Sequence, residues 1–306
     1  LIPRTLEVLK SLDLFDEIFN HGRHVHEWGR WQCDAKAPEE GLKRQYVIPM
    51  ALGKGRYAPQ IVTIHQGRIG RIFEEDLRRY SARGVERGSR LVNVRLDEKG
   101  DATFPVLATV EREGKERTVR TKYLVGADGA HSIVRRSLGI SMEGQTTEDI
   151  WGVVDIVADT DFPEIGRGCH LNADGDTILL IPRERNLSGQ YLTRLYVPFN
   201  NKDLPTDTNK TSTGAETSNE KRLEIEKQQR EWKSKVNPDS ILRRISEMTK
   251  PYHIRPKAGT EVEWWAAYQV GQRVAQRIVE KDSSGDARIF LIGDCTCSPF
   301  IGLLSC

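Results

Sequence analysis

The stretch from Tyr123 to Arg136 constrains this chain more than any other. An apolar β-type run, Tyr123-Leu124-Val125, ends in Gly126-Ala127-Asp128-Gly129, and a helix-like segment follows at once, with Ser132 as its N-cap and Gly139 as its stop. Strand, tight turn and helix start, in that order, build a ligand site. Glycines let a ligand approach the backbone, a helix N-terminus favours anionic groups, and an Asp at the strand's carboxyl end accepts hydrogen bonds from sugar hydroxyls. A nucleotide-like cofactor meets all three conditions. A plain tight β–α turn is the competing explanation of Gly-Ala-Asp-Gly taken alone.

Around this stretch lie 306 residues, 38% hydrophobic and 29% charged, enough for one large core or two modest ones. The 46 basic and 44 acidic residues leave a net charge of +2, which gives no electrostatic footprint for nucleic acid. No apolar run approaches the roughly 18–20 residues of a membrane span. No charged-then-apolar leader opens the chain, and Leu1 already falls inside a helical pattern, so a soluble piece of a longer protein is expected. Five cysteines (Cys33, Cys169, Cys295, Cys297, Cys306) are few, odd in number and mostly far apart, the usage of a reducing, cytoplasmic compartment. Cys295-x-Cys297 has neither a second pair nor a nearby His, so no metal ligands are assigned.

In chain order, Leu6, Leu9, Leu12, Phe15, Ile18 and Phe19 recur at helical spacing, as one helix or two short ones. Short strands follow at His24–Cys33, Gln45–Ala51 and Gln60–His65. Gly53-Lys54-Gly55-Arg56-Tyr57-Ala58 fits Gly-x-Gly-x-x-Ala, but Pro59 and a β-branched run come next in place of a helix, so it reads as a hairpin turn. A helix from Gln66 should bury Ile69, Ile72, Phe73, Leu77 and Tyr80. Residues 89–125 alternate as a β-meander. Ile150–Val157 opens a more β-rich region, in which Thr177–Glu184 and Tyr191–Val197 pair as a hairpin. Residues 200–220 are polar and read as a solvated insertion, and Lys221–Lys235 as an exposed charged helix. Pro238–Met248 is an amphipathic helix, Glu263–Ala275 an aromatic-rich strand, and Ala287–Asp294 a parallel-type strand ending in Gly-Asp.

Several of these segments resemble one family. Gly126-Ala127-Asp128-Gly129-x-x-Ser132-x-Val134-Arg135-Arg136 resembles the second fingerprint of FAD-dependent class A aromatic hydroxylases, and is closest to fungal phenol 2-monooxygenase-like proteins. Ala287-Arg288-Ile289-Phe290-Leu291-Ile292-Gly293-Asp294 resembles their third fingerprint. Ile181-Pro182-Arg183-Glu184 followed by Arg194-Leu195-Tyr196 resembles the strand pair facing the phenol, and Arg4-Thr5-Leu6-Glu7 the segment where an Arg approaches the flavin.

The resemblance implies an α/β fold: an incomplete, doubly wound FAD-binding domain over 1–149 and 276–306, and a β-rich substrate domain over 150–275 with a polar insertion at 200–235. It implies FAD contacts from Arg4, Gln66, Asp128, Gly129, Gly293 and Asp294. It also implies NADPH as reductant, O₂ as co-substrate and hydroxylation of a phenolic ring ortho to its hydroxyl, and it leaves a homodimer open. Arg183, Arg194 and Tyr196 become the substrate residues, the Tyr196 hydroxyl bonding the phenol oxygen. An independent physical argument points the same way: a phenol must be held by its oxygen and reacts faster as it approaches phenolate, which a Tyr hydroxyl beside a guanidinium favours. A structural strand aromatic is the alternative for Tyr196.

The family's Gly-x-Gly-x-x-Gly unit and the long helix after the third fingerprint have no counterpart in this sequence. The expectation is therefore a chain truncated at both ends, weak or inactive by itself. Two other readings stay open: a chain that binds no flavin, and a related flavoprotein acting on a different aromatic.

Overall fold

The computed structural model describes residues 1–34, 36–50, 61–97, 99–173, 175–199 and 236–298. The hairpin expected at 53–58, the insertion at 200–220 and the charged run to Lys235 lie outside the described residues. In chain order come α1 (Pro3–Ser11), α2 (Phe15–His21), β1 (Arg23–Val25), β2 (Glu27–Cys33), β3 (Leu42–Pro49), β4 (Ile61–Thr63) and α3 (Gln66–Tyr80). Then follow β5 (Ser89–Leu96), β6 (Val106–Arg112), β7 (Lys115–Thr121), β8 (Leu124–Gly126), α4 (Ile133–Ser137), β9 (Met142–Ile156) and β10 (Ala158–Thr160). The last are β11 (Gly168–Ala173), β12 (Asp176–Arg185), β13 (Tyr191–Phe199), α5 (Pro238–Met248), β14 (Ile254–Pro256), β15 (Trp264–Ala275), β16 (Val279–Lys281), β17 (Ala287–Leu291) and β18 (Cys297–Ser298). Among the described residues no helix is long and apolar enough to cross a membrane.

The chain divides by contact into two units, the first Leu1–Ala82 with Asp149–Tyr268 and the second Arg83–Glu148 with Gln269–Cys306. Residues 1–82 group with the β-rich region and not with 83–148, because β2 pairs in parallel with β11 and so extends its sheet. This contact boundary differs from the functional division that the sequence resemblance implies.

In the first unit the large sheet runs β9-β13-β12-β11-β2-β3. Period-two alternation sends Val154 and Ile156 of β9, Leu195 and Val197 of β13 and Ile178 and Leu180 of β12 into one core, where α5 contributes Ile241, Ile245 and Met248. The helix lies so close that a Cβ built on Gly152 would stand 2.7 Å from Ile241 Cγ1. Its start is fixed by a capping box: Asn237 Oδ1 accepts from Ser240 N over 2.9 Å and Asn237 N donates to Ser240 Oγ over 2.9 Å. The opposite face carries the alternate residues Val153, Asp155, Arg194, Tyr196, Leu179 and Ile181, in cross-strand register. Tyr196 therefore points away from the α5 core.

A second core of this unit joins α1, α2, β4 and α3 through Leu6, Leu9, Phe15, Ile18, Val62 and Ile72. The leading helical pattern is two helices, broken at Asp13, whose φ is +61°. The expectation for α3 needs correction: its spacing is amphipathic, but of the expected apolar face only Ile72 is buried, while Phe73, Leu77 and Tyr80 are exposed.

The second unit contains the β5-β6-β7 antiparallel meander and a three-stranded sheet ordered β16-β17-β8. Strands β17 and β8 are parallel, with Ile289 opposite Leu124 and Leu291 opposite Gly126. Val94, Val106, Val134, Ile140, Ile289, Leu291 and Cys295 form the core of this unit.

Candidate functional site

Parallel pairing of β8 with β17 gives both strands the same carboxyl end, and there the two short Gly/Asp turns lie side by side. Ile292 N donates to the Gly126 carbonyl over 2.9 Å, which carries the parallel register into the turns. Gly129 has φ +79° and Gly293 φ +63°, and at neither would a Cβ meet any atom of the described residues within 4 Å. Left-handed backbone with open space beside it suits glycine and leaves room for a ligand.

The two aspartates differ. Asp128 Oδ1 accepts from Ser132 Oγ at 2.5 Å and from Cys295 Sγ at 3.2 Å, and Oδ2 accepts from Ile133 N at 2.6 Å and Val134 N at 3.2 Å. Burial by itself would raise its pKa, but the bonds from Ser132, Cys295 and the two amides outweigh it and hold the carboxyl below its ordinary value. Its roughly four acceptor positions are thereby used within the unit. Asp294 sits in a single 3₁₀ turn, Gly293–Cys295, and is exposed. No hydrogen bond among the described residues engages its carboxylate, so it is the acceptor open to a ligand.

Cys295 joins the turns. Its thiol donates to Asp128 and accepts from Gly129 N at 3.1 Å, while its carbonyl accepts from Arg135 Nη1 at 3.1 Å. Burial, followed by the hydrogen bond to Asp128, pushes the Cys295 thiol up, so it stays protonated at neutral pH. The sequence shows Cys295 only as half of an incomplete metal motif. Among the described residues no three His, Cys, Asp or Glu side chains gather as a metal would require.

In the first unit, Arg183, Arg194 and Tyr196 come together around a residue the sequence reading missed, Asp155. Arg194 Nε and Nη2 bind Asp155 Oδ1 and Oδ2, each at 2.7 Å, a bidentate pair. Arg183 Nη1 stands 3.8 Å from Asp155 Oδ2, and its Nε and Nη2 bind Glu184 at 3.0 and 3.1 Å. Asp155, Arg183 and Glu184 are all buried, so two cations and two carboxylates balance inside the fold. The Arg194 guanidinium lies 4.8 Å from the Trp264 ring centre and 5.9 Å from that of Tyr196. Burial would lower the Arg194 pKa, but Asp155 reverses that and raises it, so the cation is fixed. Tyr268 is pushed up by burial and then by the neighbouring Tyr196, and stays neutral.

Within the first unit, Arg4 and Gln66 do not join the Asp155 group. Arg4 is exposed on α1, 3.7 Å from Glu7 one turn on. Gln66 is exposed at the first turn of α3, beside the His65 N-cap, whose Nδ1 accepts from Gly67 N at 3.0 Å.

A family model described as an FAD binding domain matches residues 1–299. The chain is 35% identical over 306 residues to the flavin-dependent oxygenase ucdD of Aspergillus ustus, covering 98% of this chain and 44% of that protein. It is 28% identical over 296 residues to the phenol 2-monooxygenase fsqG of Aspergillus fumigatus, covering 95% of this chain and 42% of that protein. Among solved structures, aklavinone-11 hydroxylase in its ternary complex with FAD and aklavinone shares the fold, with a TM-score of 0.65 at 19% identity over 97% of this chain and 49% of that one. The chain thus spans less than half the length of each of these proteins.

Proposed function

This chain belongs to the FAD-binding-domain family of flavin-dependent monooxygenases of the aromatic-hydroxylase type, and from that premise we propose that it supplies flavin and substrate contacts of an NADPH-dependent phenol hydroxylase. The observation that carries this is the parallel β8–β17 pair, which sets two Gly/Asp turns at one sheet end. The residues there fit FAD: Asp294 offers a carboxylate unengaged among the described residues to a ribitol hydroxyl, and Gly129 and Gly293 leave the backbone open to close approach. Asp128 acts one step back, holding the turn in which Gly129 stands.

When bound, FAD supplies the redox chemistry, accepting a hydride from NADPH and activating O₂ for transfer of one oxygen atom to the ring. The chain's own contribution is position and electrostatics. Tyr196 lies on the sheet face away from the α5 core and would bond the phenol oxygen. Arg194, held by Asp155 through Nε and Nη2 and coupled to the Tyr196 hydroxyl, sets a positive charge beside that same oxygen and favours its phenolate character. Holding the ring by its oxygen activates the ortho and para carbons alike, and the choice of ortho is supported by the related phenol 2-monooxygenase, named for the position next to that oxygen.

The test uses the FAD-loaded chain: phenol should perturb the flavin absorbance, and any product should carry its new oxygen ortho. Tyr196→Phe should weaken the phenol-induced change by about tenfold, the loss of roughly one good hydrogen bond. A para product, or a phenol response indifferent to Tyr196→Phe, contradicts the assignment.

A further inference from the structure

A cleft of about 610 Å³ in the first unit holds positive charge that the flavin reading does not use. Arg23, Arg68 and Arg185 line it with Tyr191. The guanidinium carbons of Arg23 and Arg185 each stand 4.4 Å from the Tyr191 ring centre. Arg185 donates from Nη2 to the Tyr191 hydroxyl at 3.3 Å and from Nη1 to the Gly189 carbonyl at 3.2 Å. Arg68 Nη2 donates to the Arg185 carbonyl at 3.0 Å. Every one of these acceptors is neutral. Among the described residues none of the three arginines has an ion pair with a carboxylate, and Arg23 Nε is buried without any acceptor.

The carboxylates on the cleft wall are bonded to other cations, and the Arg68 charge acts on Glu184 without a direct bond. Glu184 is bound by Arg183 at 3.0 and 3.1 Å, and Glu27 pairs with Arg167 at 2.7 Å. Three guanidiniums in one cleft repel one another, an aromatic face offsets only part of that, and a buried donor without an acceptor adds its own cost. A bound oxyanion removes all three penalties.

We propose that this cleft binds a small phosphate-bearing anion. A carboxylate is satisfied by a single bidentate arginine, whereas three guanidinium forks suit a tetrahedral dianion with more oxygens to fill. The volume falls in the range of small-molecule sites, which points to a phosphate ester in place of the bare ion. The cleft is distinct from the phenol position: Tyr191 and Tyr196 lie on one strand, five residues and about 17 Å apart at roughly 3.4 Å per residue. The proposal does not depend on flavin binding.

Calorimetric titration of the 306-residue chain at fixed ionic strength tests it, with adenosine monophosphate, inorganic phosphate and benzoate as probes. The nucleotide should bind, and Arg23→Gln and Arg185→Gln should each weaken it about tenfold or more. Benzoate should bind at least about tenfold more weakly than either phosphate probe. Inorganic phosphate binding as tightly as the nucleotide supports a phosphate site whose ligand is the free ion. Arg68→Gln, which removes the third guanidinium together with its bond to the Arg185 carbonyl, should weaken binding likewise and gives a third variant should either of the others fail to fold. No binding of either phosphate up to roughly 10 mM, benzoate binding as tightly as phosphate, or affinity unchanged in the folded variants overturns the proposal.

Discussion

Cys295 does for the two turns what neither turn does for itself. From the second turn its thiol bonds both the Asp128 carboxylate and the Gly129 amide of the first, over 3.2 and 3.1 Å. Cys295→Ala should cost about 1–3 kcal/mol in urea unfolding, since it leaves the Gly129 amide without its partner. Cys295→Ser should recover part of that loss, and a Cys295→Ala variant as stable as the parent would show the link to be incidental. Asp128 makes a separate pH prediction. Its folded pKa is depressed below the ordinary carboxylate value, so the stability it contributes is present above that value and is lost as pH falls through the folded one. Unfolding measured from pH 6 to about pH 2 should show this acid-side loss in the parent and a flatter profile in Asp128→Asn. At this scale the sequence reveals what is local. Asp128, Gly129, Gly293 and Asp294 stand at strand ends whose patterns are complete within a few residues. Asp155 is invisible because its partner Arg194 lies 39 residues on, and Cys295 because Asp128 lies 167 residues back.

Among the elements, α5 is the one whose sequence and role agree most closely. Of its apolar positions it buries Ile241, Ile245 and Met248 and half-buries Leu242, and its Asn237–Ser240 cap matches its observed start. Ile241→Ala should destabilise the chain by about 2–5 kcal/mol in denaturant unfolding, because it opens a cavity between this helix and the sheet. A loss under about 1 kcal/mol would mean that the helix is not held to the sheet at that position. The α3 helix shows the opposite case. Amphipathic spacing states which face can be buried and not whether anything buries it, so Phe73 and Leu77 match the pattern and remain exposed. Strand pairing was legible where a short loop joins neighbours, as in β12–β13. It was hidden where β2 joins β11 in parallel across more than a hundred intervening residues.

For the molecule as a whole, two compact units each carry part of the flavoprotein pattern: the second the Gly/Asp turns, the first the Arg194–Asp155–Tyr196 face. The family fingerprints pointed to both, because they mark strand ends and cross-strand faces that a fold of this type reuses. They do not mark the arginine cleft, whose members are scattered from Arg23 to Arg185 and meet only through tertiary contact. The measurement that bears most directly on the central claim is titration of FAD into the purified chain, followed by flavin fluorescence and absorbance, for the parent and for Asp294→Ala. Saturable binding that Asp294→Ala weakens by about tenfold, the loss of roughly one charge-assisted hydrogen bond, is the expected result. No binding by the parent, or binding that Asp294→Ala leaves unchanged, would contradict the assignment of the β8–β17 turns as the flavin site.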